Sequence, residues 1–366
     1  MMWRSGEVVS LGKKWDGCVE CQVRLDDGTQ VRALAYTEIV GTPVASARVI
    51  LSASAAVKKL GTGGYYMVVA FPDDLPPDPE TVEGHIVKAR YTPTQYMTMG
   101  ADEQDSPWHD LLRDADSING MPVIVADLHS ALAPVVAAIH ARRAGARIAY
   151  IMDDGAALPA WFSQTCAKLR ESGMIFGTIT AGQAFGGQLE AVNVHTALLA
   201  ARHVWKADIA IVSQGPGNLG TGTHWGFSGT RVGDSINAAA ALQGRPIGLL
   251  RMSNGDARGR HFGLSHHSVT ALTRVAMVPT LCPVPVYDSG VLSMMVDRDT
   301  RDRVEEQVRE LFACRRLARL DISTAGLDEA FVASPIEMRT MGRSLIEDPL
   351  AFLAAGVAGY AATALL

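Results

Sequence analysis

Apolar and polar positions change their rhythm once along the chain. Up to about residue 71 the apolar residues fall in short β-rich runs, at 7–11, 19–25, 30–36, 48–53 and 65–71. Asp26-Asp27-Gly28 supplies turn residues between two of these runs. The pattern predicts a small β-barrel or sandwich module over residues 1–72. PDDLPPDPE at 72–80 is rich in Pro and Asp and reads as a linker, so residues 73–121 are expected to be linker and connecting segment. Beyond them, apolar runs at 123–126, 148–152, 175–179, 209–212 and 247–250 alternate with helical stretches at 132–143, 161–172, 189–205, 232–243 and 269–275. Short apolar strands alternating with helices predict a parallel sheet covered on both faces. Residues 122–366 are therefore expected to form a doubly wound α/β domain. Helical segments at 304–314 and at the C-terminus pack around it.

Ligands of open α/β sheets bind beyond the carboxyl ends of the strands, where the chain splays and helix N-termini point inward. Each expected strand here ends in a polar or glycine-rich cluster. The first is Asp127-Leu128-His129-Ser130, the second Asp153-Asp154-Gly155, and the third Thr180-Ala181-Gly182-Gln183. The fourth runs from Ser213 to His224 and the fifth from Ser253 to His267. The expected fold brings all five to one edge. Taken singly, Asp127, Ser130 and Asp153 are better read as helix caps.

The fourth cluster holds Gly215, Gly217, Gly220 and Gly222 with Thr221 and Thr223. A loop so poor in side chains can turn its amides toward an anion, or it can be a structural loop. It is neither GxxxxGK[ST] nor a clean GxGxxG. The fifth cluster concentrates Asp256, Arg258, Arg260, His261, His266 and His267. Its arginines suit phosphate or carboxylate, and its histidines suit proton transfer. Ser265 is expected to cap a helix whose first turn carries His266 and His267. The alternative is an Asp–Arg–His network that merely holds a long loop down. A divalent metal joining Asp127, His129, Asp256 and the histidines, His266 among them, is an option, although no HExxH is present.

Composition narrows the partners. With 33 Lys+Arg against 38 Asp+Glu the net charge is −5, the wrong sign for binding nucleic acid through a global basic field. Five scattered cysteines do not make a disulfide framework, and Cys18 and Cys21 read as two small apolar residues on a strand. The N-terminus meets Glu7 before any apolar run forms, so no signal peptide is expected and a cytoplasmic location follows. The uncharged segment 349–366 is Ala/Gly-rich and follows Glu347 and Asp348. It is expected to be a buried helix rather than a membrane span.

The sequence also resembles a known family. Leu60-Gly61-Thr62-Gly63-Gly64-Tyr65, Gly84-His85-Ile86-Val87-Lys88, Arg90-Tyr91-Thr92-Pro93, Gly215-Pro216-Gly217, Gly220-Thr221-Gly222-Thr223 and Ser265-His266-His267 look like the bacterial domain-of-unknown-function family 3866. The resemblance spans most of the chain. It implies a bacterial, non-secreted protein and no particular chemistry.

From the residues, the expectation is a hydrolase or group-transfer enzyme acting on a small anionic substrate, phosphorylated or carboxylated. His266 or His267 would be the general acid/base, with Asp127 or Asp256 orienting it. Arg258, Arg260 and His261 would hold the substrate together with Gln183 and the 215–223 loop. The alternative is a ligand sensor or scaffold without turnover. A homo-oligomer is left open.

Overall fold

The computed structural model describes residues 1–81 and 83–366. The chain divides into two compact units, Met1–Met99 with Trp161–Ala167, and Gly100–Ala160 with Lys168–Leu366.

In the first unit five strands close into a barrel: β1 (Trp3–Trp15), β2 (Cys18–Leu25), β3 (Gln30–Tyr36), β4 (Arg48–Ser52) and β5 (Tyr66–Ala70), in the order β1-β2-β3-β5-β4. Their inward positions build a core of Val8, Cys21, Val23, Ala33, Val49, Leu51, Val68 and Phe71. Cys18 and Cys21 are both buried free thiols. Burial pushes the Cys21 thiol up to about 11 and the Cys18 thiol higher still, which suits packing and not reactivity. Trp161 belongs to this unit because its carbonyl accepts from Trp15 Nε1 at 2.6 Å. A short antiparallel pair, β6 (Ile86–Lys88) and β7 (Tyr96–Thr98), completes it.

The second unit is built on an eight-stranded parallel sheet. Its strands are β8 (Pro122–Ala126), β9 (Ile148–Asp153), β10 (Gly177–Ala181), β11 (Leu189–Ala191), β12 (Ile209–Gln214), β13 (Arg245–Gly248), β16 (Thr280–Val286) and β17 (Leu317–Ser323). They lie in the order β11-β10-β9-β12-β8-β13-β16-β17, and every neighbouring pair is parallel. The numbers β14 (Met252–Ser253) and β15 (Gly263–Leu264) belong to a small antiparallel pair outside this sheet. The central strands β8, β9 and β12 are buried along their whole length, as strands covered on both faces must be.

The five expected sheet strands are all present, and three more join them. Leu189–Ala191 is a three-residue edge strand ahead of the helix α1 (Val194–His203); the apolar pattern had run the two together as one helix. Strand β16 carries Pro283 and Pro285, which argue against a central strand. It is nonetheless paired with β17 along seven residues and with β13 only at Ile247↔Leu281. Both prolines lie beyond Leu281, where the pairing with β13 is recorded. Strand β17 is an edge strand whose Arg319 and Asp321 obscure its apolar alternation.

The C-terminal helix α2 (Pro349–Thr363) is buried almost throughout. Gly359 lets it approach the helix Leu132–Arg142, since a Cβ there would lie 2.7 Å from the Val135 carbonyl. Among the described residues no helix is long and apolar enough to cross a membrane.

The strand order also fixes where a ligand crevice forms. The connection leaving β8 leads to β9 on one side of it, and the connection leaving β13 leads to β16 on the other. Adjacent strands whose connections part in this way open a crevice at their carboxyl ends.

Candidate functional site

Asp127 follows β8 directly and sits in that crevice, 3% exposed. Its Oδ2 accepts from Arg251 Nη1 at 2.7 Å and from His267 Nδ1 at 3.0 Å. Its Oδ1 accepts from Asn218 Nδ2 at 2.9 Å, and Gln214 Nε2 donates to its carbonyl at 2.9 Å. Burial works to raise the carboxyl. The hydrogen bond from His267 and the Arg251 guanidinium outweigh it, and the group is held below the usual carboxylate range. Gly229 makes room for this carboxylate, because a Cβ at that position would run into Oδ1.

Arg251 comes three residues after β13, and the loop that follows it returns to the same place. The β14–β15 pair closes this loop, and Ser265 N donates to the Arg251 carbonyl at 2.9 Å. Ser265 then caps the short helix α3 (His266–Thr270), accepting from His267 N through Oγ. His261, His266 and His267 are thereby drawn together, with ring centroids 5.1, 4.9 and 4.5 Å apart. Burial, followed by neighbouring cationic groups, lowers His261 to about 3 and His266 to about 4. Phe227 stacks on His267 at 3.8 Å and meets His266 edge-on at 5.7 Å.

Asn218 comes from the glycine-rich loop and Phe227 from just beyond it, and they reach Asp127 and His267 of the first and fifth clusters. Three amides in and beside this loop are turned back on the loop itself. It spends Leu219 N on Ser228 Oγ, Thr221 N on the Gly226 carbonyl and Gly226 N on Thr223 Oγ1. Gly217 and Gly222 adopt φ of 100° and 79°, conformations that turn the loop on itself. At Gly222 it lies against the Arg260 guanidinium.

Outside the three rings a cleft of ≈ 620 Å³ opens, walled by His224, Arg260, His266, Thr270, Arg274 and Arg316, with Glu310 its acidic member. Three polar atoms of its lining residues are buried without a hydrogen-bond partner: His266 Nε2, Thr270 Oγ1 and Arg316 Nε. An unpaired buried polar atom costs on the order of 1–3 kcal/mol. All three belong to residues that line this one cleft.

The remaining residues singled out by sequence lie elsewhere. Arg258 grips Asp256 through Nε and Nη2 at 2.9 and 2.7 Å, which drives the Asp256 carboxyl far down. Arg343 approaches the same carboxylate at 3.7 Å and holds Asp348 at 2.9 Å. This network anchors the loop to the start of α2, so Asp256 and Arg258 match the loop-holding alternative. His129 turns its Nδ1 to Tyr150 OH at 2.9 Å, and burial lowers it to about 4. It stands outside the group of three imidazoles. Gln183 N donates to Asp154 Oδ2 at 2.8 Å, and Asp154 pairs with Arg231 at 2.6 Å. Sequence reasoning passed over Arg251, Phe227, Arg274 and Arg316. Arg251 had a signal, as a charge set immediately beyond an apolar strand. Arg274 had one as well, about two helical turns beyond His266 and His267 in a predicted helical stretch, whereas Arg316 had none, since only the fold brings it to the cleft.

A protein-family model described as "Protein of unknown function (DUF3866)" matches residues 32–359 of the chain. No curated protein and no solved structure matches it.

Proposed function

Because the chain belongs to the DUF3866 family, whose description carries no activity, we propose from the site's own chemistry a hydrolase or group-transfer enzyme acting on a small anionic molecule. The observation that supports this reading is the arginine-walled cleft ending at His266, whose Nε2 is buried and unpartnered. Arg260, Arg274 and Arg316 would hold a phosphate or carboxylate, for which guanidinium geometry is suited. His266, the member of the three imidazoles that lines the cleft, would activate the attacking water or hydroxyl. Asp127 is a positioning residue in this scheme, fixing the His267 ring through Nδ1. Arg251 is spent on Asp127 and would take no direct part in holding substrate.

The test is turnover of a panel of phosphate monoesters and carboxylic esters by the wild type and by His266→Asn. The expected result is release of phosphate or carboxylate by the wild type. The variant should bind similarly but lose ~10²–10⁴-fold in kcat, the usual size of proton-transfer assistance. Binding of an anion without any turnover across the panel would favour a ligand sensor instead.

A further inference from the structure

The three imidazoles form more than a polar lining, and we propose that His261, His266 and His267 bind a divalent transition-metal ion, Zn²⁺ being the best fit, through their Nε2 atoms. Metal binding by these rings does not depend on the enzyme reading, since a sensor could use the same ion.

Hydrogen-bond partners fix which ring nitrogen carries the proton. Asp127 can only accept, so His267 Nδ1–H donates to it and Nε2 keeps its lone pair. Arg251 Nη1 lies 3.0 Å from the same Nδ1, but it donates at 2.7 Å to the same carboxylate oxygen. An arginine Nε–H can only donate, and Arg260 Nε points at His261 Nε2 from 3.4 Å. His261 Nε2 therefore also carries a lone pair, and its Nδ1–H, 2.8 Å from Ser265 Oγ, is the donor there. Two of the three rings are thus anchored through Nδ1 by a carboxylate or a hydroxyl, with Nε2 turned elsewhere. This is the outer-shell arrangement that orients imidazole ligands around a metal. The third ring, His266, supplies the buried Nε2 that has no partner.

The spacing agrees. Three imidazoles around one tetrahedral ion at ~2.0–2.1 Å would have ring centroids about 5 Å apart, and the observed separations are 5.1, 4.9 and 4.5 Å. One nitrogen from each ring lies within 4.8 Å of the others. Closing them on an ion brings these nitrogens to the ~3.3 Å separation of tetrahedral ligands at ~2.0–2.1 Å, by ring rotation and withdrawal of the weakly held Arg260, whose side chain is at the surface. Three histidines leave a fourth coordination position for water or a ligand, as in metal sites that do chemistry.

The experiment uses the full chain stripped with a chelator, dialysed, and titrated with Co²⁺ and then Zn²⁺. The expected result is one equivalent of Co²⁺ giving the visible absorption of a four-coordinate ion, displaced by Zn²⁺. His266→Ala should weaken binding by at least ~100-fold, and Asp127→Asn, which removes an outer-shell partner, by ~10–100-fold. His195→Ala, an exposed histidine on α1, should leave the affinity unchanged. Circular dichroism confirms that each variant is folded, and His261→Gln provides a second ligand variant. Absence of stoichiometric Co²⁺ binding would overturn the proposal. So would affinity that survives both His266→Ala and His261→Gln, which would show the metal to lie elsewhere. Anion binding in the cleft is measured separately on the metal-free protein, so failure of the metal site is distinguishable from failure of the enzyme reading.

Discussion

Asp127 is the side chain on which the rest of the site depends. It is nearly inaccessible to solvent, and it joins β8, the glycine-rich loop, Arg251 and the histidine loop through one carboxylate. Leaving one member of a buried ion pair without its partner typically costs ~3–5 kcal/mol, so whatever displaces this carboxylate is felt in stability as well as in chemistry. Gly229 provides a test that does not alter the charges. Gly229→Ala places a methyl on the space held by Asp127 Oδ1, and we expect a loss of about 1–3 kcal/mol in chemical denaturation, the usual cost of overpacking. An unchanged midpoint would show that the carboxylate is free to move. Asp127 was legible in the sequence because it directly follows an apolar strand. Gly229 was not, since its role is defined by an atom about a hundred residues away along the chain.

The elements differ in how openly their sequences declare them. Strands β8, β9 and β12 are continuous apolar runs, and their burial on both faces is what such runs require. Strand β16 was hidden by its prolines, which lie beyond its pairing with β13, and β17 by the charges that an edge strand can carry. The glycine-rich loop was visible in the sequence, whereas the part played by Asn218 and by Phe227 just beyond it, which meet Asp127 and His267, was not.

The barrel holds its own polar group, Glu20, which is 7% exposed and accepts from Arg32 at 2.6 Å and from Tyr65 OH at 2.8 Å. Burial opposes its ionisation, but those two hydrogen bonds prevail and lower the group. A carboxyl lowered by folding stabilises above its unfolded value, and that contribution is lost as the pH falls through the folded value. Thermal unfolding of wild type and Glu20→Gln should therefore differ at pH 7 and converge toward pH 3. A difference that persists undiminished at low pH would contradict the assignment.

Across the whole molecule, the parallel sheet and its strand order decide that the fifth cluster meets the first. The strand-to-helix alternation made the sheet readable, and with it the expectation of a common rim. Which polar groups at that rim face one another was not readable. Asp256 and Arg258 lie in the same loop as the histidines, yet they turn to Arg343 and the C-terminal helix. Arg274 lies about two helical turns beyond the histidines and Arg316 much further along the chain, and both line the cleft. The net charge of −5 likewise concealed a local concentration of guanidinium groups. Field strength at a site follows from arrangement, not from totals.

The most direct measurement is isothermal titration of inorganic phosphate into the full chain at low ionic strength, compared with the Arg260→Gln/Arg274→Gln double variant. A site built by the cleft's arginines predicts saturable binding at one position per chain, weakened at least ~10-fold in the variant by the loss of two charge-assisted contacts. No saturable heat, or the same affinity in both proteins, would contradict it.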